Sequence, residues 1–312
     1  MVENKEFVHQ ASADEAWQES VFLAWRDPSR GIGGVHRIGT EAHRGKSNMW
    51  CGLFREGSKC FRLNQEGQPF EPYPGGAGFV CGPQRSFFKD QKVQWSLETD
   101  DCAVDLSVED LPSGDLWVAT SDSMVKVSIT GHYHHHCRVR GVARLDGETI
   151  PIDGYGWRDH SWGVRHWDGI LHHRCFSASF GDHYAIDFYS LLDVHGALSK
   201  GGVVARGGRK DIIEDFRFTV ALEDDGLTAR SADVRGRYPS GEPFVAHFDL
   251  TGAVLVKTRE YVGIESVGEI ALATGEKGFG YFALSANARA GRGTPPLVVA
   301  AVAKNGLSHD PL

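Results

Sequence analysis

The sequence has no C-x-x-C pair and no dense cysteine framework. Its six cysteines, Cys51, Cys60, Cys81, Cys102, Cys137 and Cys175, are spread over 312 residues. That dilution argues against a disulfide scaffold and for reduced thiols in a cytosolic protein. No stretch approaches 18 uninterrupted apolar residues, so nothing is expected to span a bilayer. The opening MVENKEFVHQASADEAW is polar and charged and lacks the apolar run of a secretory signal. A soluble, cytoplasmic protein is the expectation. Basic stripes are also missing: 33 lysines and arginines face 41 acidic residues, for a net charge of −8. Nucleic acid and anionic membrane surfaces are therefore poor partners. There is no P-loop, no G-x-S-x-G elbow and no G-x-G-x-x-G after a strand. The run Arg30-Gly-Ile-Gly-Gly34 lacks that spacing and reads as a turn. No cofactor is expected.

Long amphipathic helices are absent too. The one helix signal is the capping-box pattern Ser12-Ala-Asp-Glu15, which predicts a short helix through Trp17. Almost everything else reads as strand. Segments 20–26, 47–54, 92–98 and 101–108 alternate polar residues with β-branched or aromatic ones. Residues 137–145, 170–180, 183–193, 199–206, 212–222, 242–250, 253–258 and 276–286 follow the same habit. Turn signals stand between them, Gly181-Asp182 among them. Residues 65–91 carry four prolines and five glycines and predict a long loop. The whole reads as all-β, with antiparallel strands forming barrels or sandwiches in two halves, 1–130 and 131–312.

The richest chemistry lies in residues 154–167, GYGWRDHSWGVRHW. On a strand one face carries Trp157, Asp159, Ser161, Arg165 and Trp167, and the other Arg158, His160, Trp162 and His166. Neither face is plainly wet or plainly dry. Large aromatics beside ionisable groups suit a pocket wall. They equally suit a buried structural network in which Asp159 pairs with an arginine. A second cluster is Gly131-His-Tyr-His-His-His-Cys137. On a strand His132, His134 and His136 share a face, with neighbours about 7 Å apart. Such a row ligates a metal only if further ligands join it, for which His172, His173, His183 and Asp187 are candidates. A third group, His183, Asp187, Tyr189 and Asp193, alternates with Tyr184, Ile186, Phe188 and Leu192; its polar face reads as solvent-exposed or as a cavity lining.

The segment Gly156-Trp-Arg-Asp-His-Ser-Trp-Gly163 resembles the D-H-x-W-G signature of the AttH-like and carotenoid 1,2-hydratase (hydroxyneurosporene synthase) superfamily, to which fungal Diels–Alderases look related. The opening Glu19–Asp27 and Gly31–Gly39 resemble the first domain of an uncharacterised bacterial branch of that group. The resemblance implies two lipocalin-like (calycin) β-barrel domains packed together around a hydrophobic ligand, and hydration, cyclisation or isomerisation without a cofactor. It implies functional roles for Asp159, His160 and Trp162. Where relatives often show Tyr-Glu-Gln, this chain has Tyr133-His134-His135, which replaces a carboxylic acid by an imidazole of near-neutral pKa.

The leading expectation is a cofactor-independent lyase, isomerase or cyclase acting on an aromatic, phenylpropanoid-like molecule or an isoprenoid. His160 or His134 would move the proton, with Asp159 orienting a histidine or arginine and Arg158 beside them. Trp157, Trp162 and Trp167 would pack the substrate, with Tyr155, Arg165, Tyr133 and His173 completing the site. A non-catalytic carrier of a hydrophobic ligand uses the same wall. A metal enzyme on His132, His134 and His136 is the third reading. A homodimer would pair exposed strand edges.

Overall fold

The computed structural model describes residues 5–55, 61–116, 131–224, 228–258, 261–287 and 307–309. Among these, regular structure is strand, with three single-turn 3-10 segments. Among the described residues no helix is long and apolar enough to cross a membrane. Two antiparallel sheets account for the strands.

The first sheet holds β1 (Trp17–Asp27), β2 (Ile32–Glu41), β3 (Lys46–Arg55), β4 (Phe61–Pro69), β5 (Glu71–Pro72), β6 (Gly78–Cys81), β7 (Gln84–Lys89), β8 (Lys92–Glu98), β9 (Cys102–Asp110), β10 (Gly131–Leu145) and β11 (Glu148–Val164). Their order is β4-β3-β2-β1-β11-β10-β9-β8-β7-β6-β5. This is an up-and-down meander bent into a ring: β1 pairs with β11, and the ring stays open between β4 and β5. The second sheet holds β12 (Ile170–Ser179), β13 (Tyr184–Asp193), β14 (Leu198–Arg206), β15 (Arg209–Ile212), β16 (Phe216–Leu222), β17 (Ala229–Arg237), β18 (Pro243–Thr258), β19 (Tyr261–Leu272), β20 (Lys277–Asn287) and β21 (Leu307–His309). Its order, β15-β14-β13-β12-β20-β19-β18-β17-β16-β21, repeats the plan, with β12 pairing β20. The all-β, lipocalin-like expectation holds for both.

Each sheet wraps its own core. In the first, Leu23, Trp25, Ile32, Met49, Phe79 and Trp95 interlock. In the second the core is phenylalanine-rich, with Phe176, Phe188, Phe216, Phe218, Phe248 and Phe282. Alternation explains both, because every second residue of each strand turns inward.

Three local expectations are corrected. Ser12–Glu15 forms a turn, not a helix: Ser12 Oγ accepts from Asp14 N–H at 3.4 Å and Asp14 Oδ1 from Ala16 N–H at 2.8 Å. Two-residue side-chain turns of this kind compete with helix initiation. Residues 65–91 are no loop but the end of β4, then β5, β6 and β7; their prolines fall at strand ends and turns. The division between halves is also displaced. β10 and β11 join the first sheet, and the second compact unit takes up the chain at His166. The ring needs β11 to close on β1, a long-range pairing that no local pattern announces. Cys60 and the chain leading up to the expected boundary at residue 130 lie outside the described residues. Cys51, Cys81, Cys102, Cys137 and Cys175 are free, buried thiols.

Candidate active site

Alternation along β11 divides the aromatic segment cleanly. Even positions follow Ile150 and Ile152 into the first core, so Arg158, His160 and Trp162 point inward. Odd positions, Trp157, Asp159 and Ser161, lie on the outer face. The four expected catalytic residues are thus not one site. Arg158 and His160 are inside; Asp159 and His134 are outside.

The inner group is a polar network, buried except at Asp110, whose side chain is 34% exposed. Arg158 donates to both oxygens of Asp110 at 2.6 and 2.7 Å and to both of Glu6 at 3.0 and 2.9 Å. Tyr133 Oη donates to Glu6 at 2.8 Å and lies 3.2 Å from His160 Nδ1. His160 Nε2 donates to Glu19 at 2.8 Å, and the same carboxylate receives His9 through its ring and its backbone N–H. His9 also stacks on Trp162, with centroids 3.8 Å apart. The Trp162 indole in turn covers Gly131, where a Cβ would lie 2.2 Å from a ring carbon. Burial pushes the carboxyls of Glu6 and Asp110 up, but Arg158 outweighs it and holds both below their ordinary range. Burial likewise raises Glu19, and its hydrogen bonds from His160 and His9 reverse the shift. A water-sized cavity touches Glu6, Phe79, Phe88, Trp95 and Arg158. These groups are mutually satisfied and hold the chain together.

The outer group is different. His132 Nε2 lies 2.7 Å from Asp159 Oδ2 and 3.0 Å from His134 Nε2. The His132 and Asp159 side chains are 15% and 16% exposed, while His134 and the neighbouring Trp157 are buried. Burial, with His134 and Arg165 nearby, pulls His132 down to about 4 against the opposing pull of Asp159. Burial alone would raise Asp159, but the His132 hydrogen bond and the His132, His134 and Arg165 charges hold it at about 2. At neutral pH the cluster is a carboxylate beside neutral imidazole. The His134 ring meets Trp157 edge-on at 4.6 Å, and Phe22 bridges Trp157 and Trp50 at 5.5 Å each. Proton-active groups therefore border an aromatic wall.

The remaining expected residues scatter. His136 shares the outer face of β10 with its strand partner Trp157. His135 points inward, 3.4 Å from Asp110. Arg165 Nη1 donates to Ser20 Oγ at 3.3 Å. Tyr155 lies under the Arg138 guanidinium at 4.6 Å. Trp167 belongs to the second unit and packs against Ile170, Tyr189 and Leu191. His173 is on β12, and its carbonyl accepts from Ser285. In the hairpin β12–β13, Asp187 and Tyr189 are buried whereas His183 is exposed. Asp187 accepts from Ser177 Oγ at 2.8 Å, on the face opposite the phenylalanine core. Glu265 accepts from Tyr281 on that same face. Sequence reasoning missed Glu6, His9, Glu19 and Asp110. Only Glu19, a charge inside the apolar run of β1, carried a local signal.

Comparison with known proteins gives the family and the fold. A family model described as "Domain of unknown function (DUF7064)" matches residues 3–288. No curated protein matches. Among solved structures, a Nitrosomonas europaea protein provisionally named AttH aligns at a TM-score of 0.63 and 11% identity, over 88% of this chain and 94% of that one. CghA aligns at 0.61 and 10% identity, covering 87% and 88%. Kievitone hydratase from Nectria haematococca aligns at 0.61 and 10%, covering 86% and 88%. The chain has the AttH-like, lipocalin-like fold that the D-H-S-W-G segment led us to expect.

Proposed function

The chain belongs to the DUF7064 family, and we propose that it is an enzyme that moves a proton on a hydrophobic small molecule at the outer face of β10 and β11. One observation carries this reading: Asp159, His132 and His134 converge within 2.7 and 3.0 Å beside Trp157. The carboxylate orients the imidazole pair, and the imidazoles hold one proton between two facing nitrogens. A substrate with an acidic C–H or O–H loses its proton there, and the same group returns it to the product. The aromatic wall of Trp157, Phe22 and Trp50 binds the apolar body and attracts developing positive charge. An aromatic or isoprenoid substrate undergoing elimination, hydration, isomerisation or cyclisation suits such a site. Kievitone hydratase, by its name a hydratase, is a precedent for this chemistry on this fold. Arg158 and His160 hold the barrel together and are not assigned to the reaction.

The test begins with native mass spectrometry of the purified protein, followed by denaturing extraction of any bound molecule. That molecule is then offered to wild-type protein and to His134→Ala. We expect turnover, reduced about 100-fold or more in the variant. A molecule recovered unchanged after incubation with wild-type protein would instead favour the carrier reading. Equal rates in both proteins would remove His134 from the chemistry.

A further inference from the structure

Two imidazole nitrogens that face each other at 3.0 Å share at most one proton. The Asp159 oxygen lies 2.7 Å from one of them, so three lone-pair atoms crowd one small volume. All three ligand atoms are within 4.8 Å of one another. We infer that His132, His134 and Asp159 form a binding site for a divalent first-row transition metal ion. Metal bonds to imidazole nitrogen and carboxylate oxygen are about 2.0–2.2 Å long. Neighbouring ligand atoms then sit about 3.0 Å apart at right angles and about 3.4 Å apart at the tetrahedral angle. The separations of 2.7 and 3.0 Å need to open by about 0.3 Å or less for right-angled ligands and by about 0.4–0.7 Å for tetrahedral ones. Two imidazoles and one carboxylate suit Zn²⁺ and Fe²⁺, and three protein ligands leave at least one position open.

The geometry follows from the strand pairing. His132 and His134 stand two apart on β10, and Asp159 is the direct partner of His134 on β11. The third ligand is therefore not His136, which lies one strand repeat farther along, opposite Trp157. The backbone N–H of His134 is held by Asp115 at 3.0 Å, which fixes the register of the ligand-bearing strand. A second trio, His9, Glu19 and His160, has similar composition. There the Glu19 carboxylate already accepts hydrogen bonds from both rings and from the His9 backbone, and Glu19 and His160 are fully buried. That trio is closed without an ion. In the outer trio His134 is buried, but His132 and Asp159 are partly exposed, which gives an ion a route in.

Charge narrows the exchangeable ligand. A divalent ion with one carboxylate keeps a charge of +1, and the nearby Arg165 adds another. The open position accordingly favours an oxyanion, either hydroxide or a phenolate, enolate or carboxylate of the substrate. What the ion does in this way rests on the reading of the outer face as the reacting centre. Binding itself stands on the geometry alone.

The experiment is calorimetric titration of chelator-treated full-length protein with Zn²⁺ at neutral pH, with metal content measured after gel filtration. We expect one retained equivalent for wild type and for His136→Gln. Asp159→Asn and His134→Ala each weaken binding at least about 100-fold, since even groups that only support a metal ligand are worth 10- to 100-fold. Zn²⁺ also raises the unfolding temperature of wild type and of His136→Gln but not of Asp159→Asn, which separates lost binding from lost fold. Retention abolished in His160→Ala yet kept in Asp159→Asn would move the ion to the inner trio and overturn the proposal. So would no retained metal in wild type, or only weak binding unchanged in every variant. Metal-free protein with full turnover, by contrast, would overturn a role for the ion in the reaction while leaving the proton-transfer reading intact.

Discussion

His134 on β10 stands directly opposite Asp159 on β11, and this pairing sets the Asp159 carboxylate 2.7 Å from the His132 ring. One residue along the same strand, Arg158 turns the other way and pairs with Asp110 and Glu6 inside the barrel. A single strand thus serves two purposes through its two faces. Substitutions at 158 and 159 should therefore have opposite signatures.

Asp159→Asn keeps the shape of the outer cluster but removes its charge and its hold on His132. We expect turnover of the recovered substrate to fall by about 100- to 10,000-fold, the usual worth of a positioned acid–base pair. Loss of stability at neutral pH should not exceed about 2 kcal/mol, the linkage worth of a carboxyl held at about 2, and should stay below that of the change at 158. A rate within threefold of wild type would remove Asp159 from the chemistry.

Arg158→Met should do the reverse. It leaves Glu6 and Asp110 with no guanidinium, in surroundings that raise their carboxyl pKa values by burial. Removing one partner of a fully buried ion network costs about 3–5 kcal/mol, and the third-exposed Asp110 arm brings the expected loss here to the lower end, about 2–3 kcal/mol. Urea denaturation followed by tryptophan fluorescence measures it. A loss under about 1 kcal/mol would mean that water reaches the network and that the barrel interior is not sealed.

Much of this division was legible in the sequence and some was not. The strand at 92–98 showed in its alternation, because one buried face imposes a period of two, whereas 20–26 and 183–193 showed as runs of β-branched and aromatic residues buried on both faces. The two faces of 157–162 alternate as expected, but Arg165, His166 and Trp167 lie past the end of the strand at Val164 and belong to neither face. What each face touches was not legible. Asp159 meets His132 only because β10 pairs with β11 in one register, and Arg158 meets Glu6 only because the segment before β1 folds into the ring. Both are contacts between residues distant in sequence. The loop expected at 65–91 failed for a related reason: its prolines and glycines mark strand ends and turns within a meander of short strands.

Acid should weaken the fold through His36. Its Nε2 accepts from Trp25 Nε1–H at 3.1 Å, so its proton sits on Nδ1 and is donated to Gln84 at 3.0 Å. Complete burial holds it neutral and lowers its pKa to about 4, against the small opposing effect of Gln84. The unfolded chain takes up the proton near pH 6.5, and the folded one only near pH 4. Stability from this residue is complete above pH 6.5 and falls away as pH drops from there toward 4. Between about pH 7.5 and pH 5 the loss is about 2 kcal/mol. His36→Gln should flatten the pH dependence of the unfolding free energy by about that amount. An unchanged slope would show that His36 is protonated in the fold.

The segment before β1 offers the sharpest test of the inner network. Glu6 and His9 reach it from opposite ends, Glu6 through Arg158 and Tyr133 and His9 through Glu19. Tyr133 and His160, 3.2 Å apart, join the two ends. If the chain of contacts acts as a unit, losing one end loosens the other, and the two losses do not add. We expect Glu6→Gln and His9→Ala each to cost about 1–3 kcal/mol, the penalty of leaving buried groups short of a partner. Their double variant should depart from the sum by at least about 0.5 kcal/mol, as residues in one network do. Additive losses would mean two independent anchors. No loss in either variant would mean that the segment does not dock in the barrel, in which case Arg158 is held by Asp110 alone and the interior is open to a ligand.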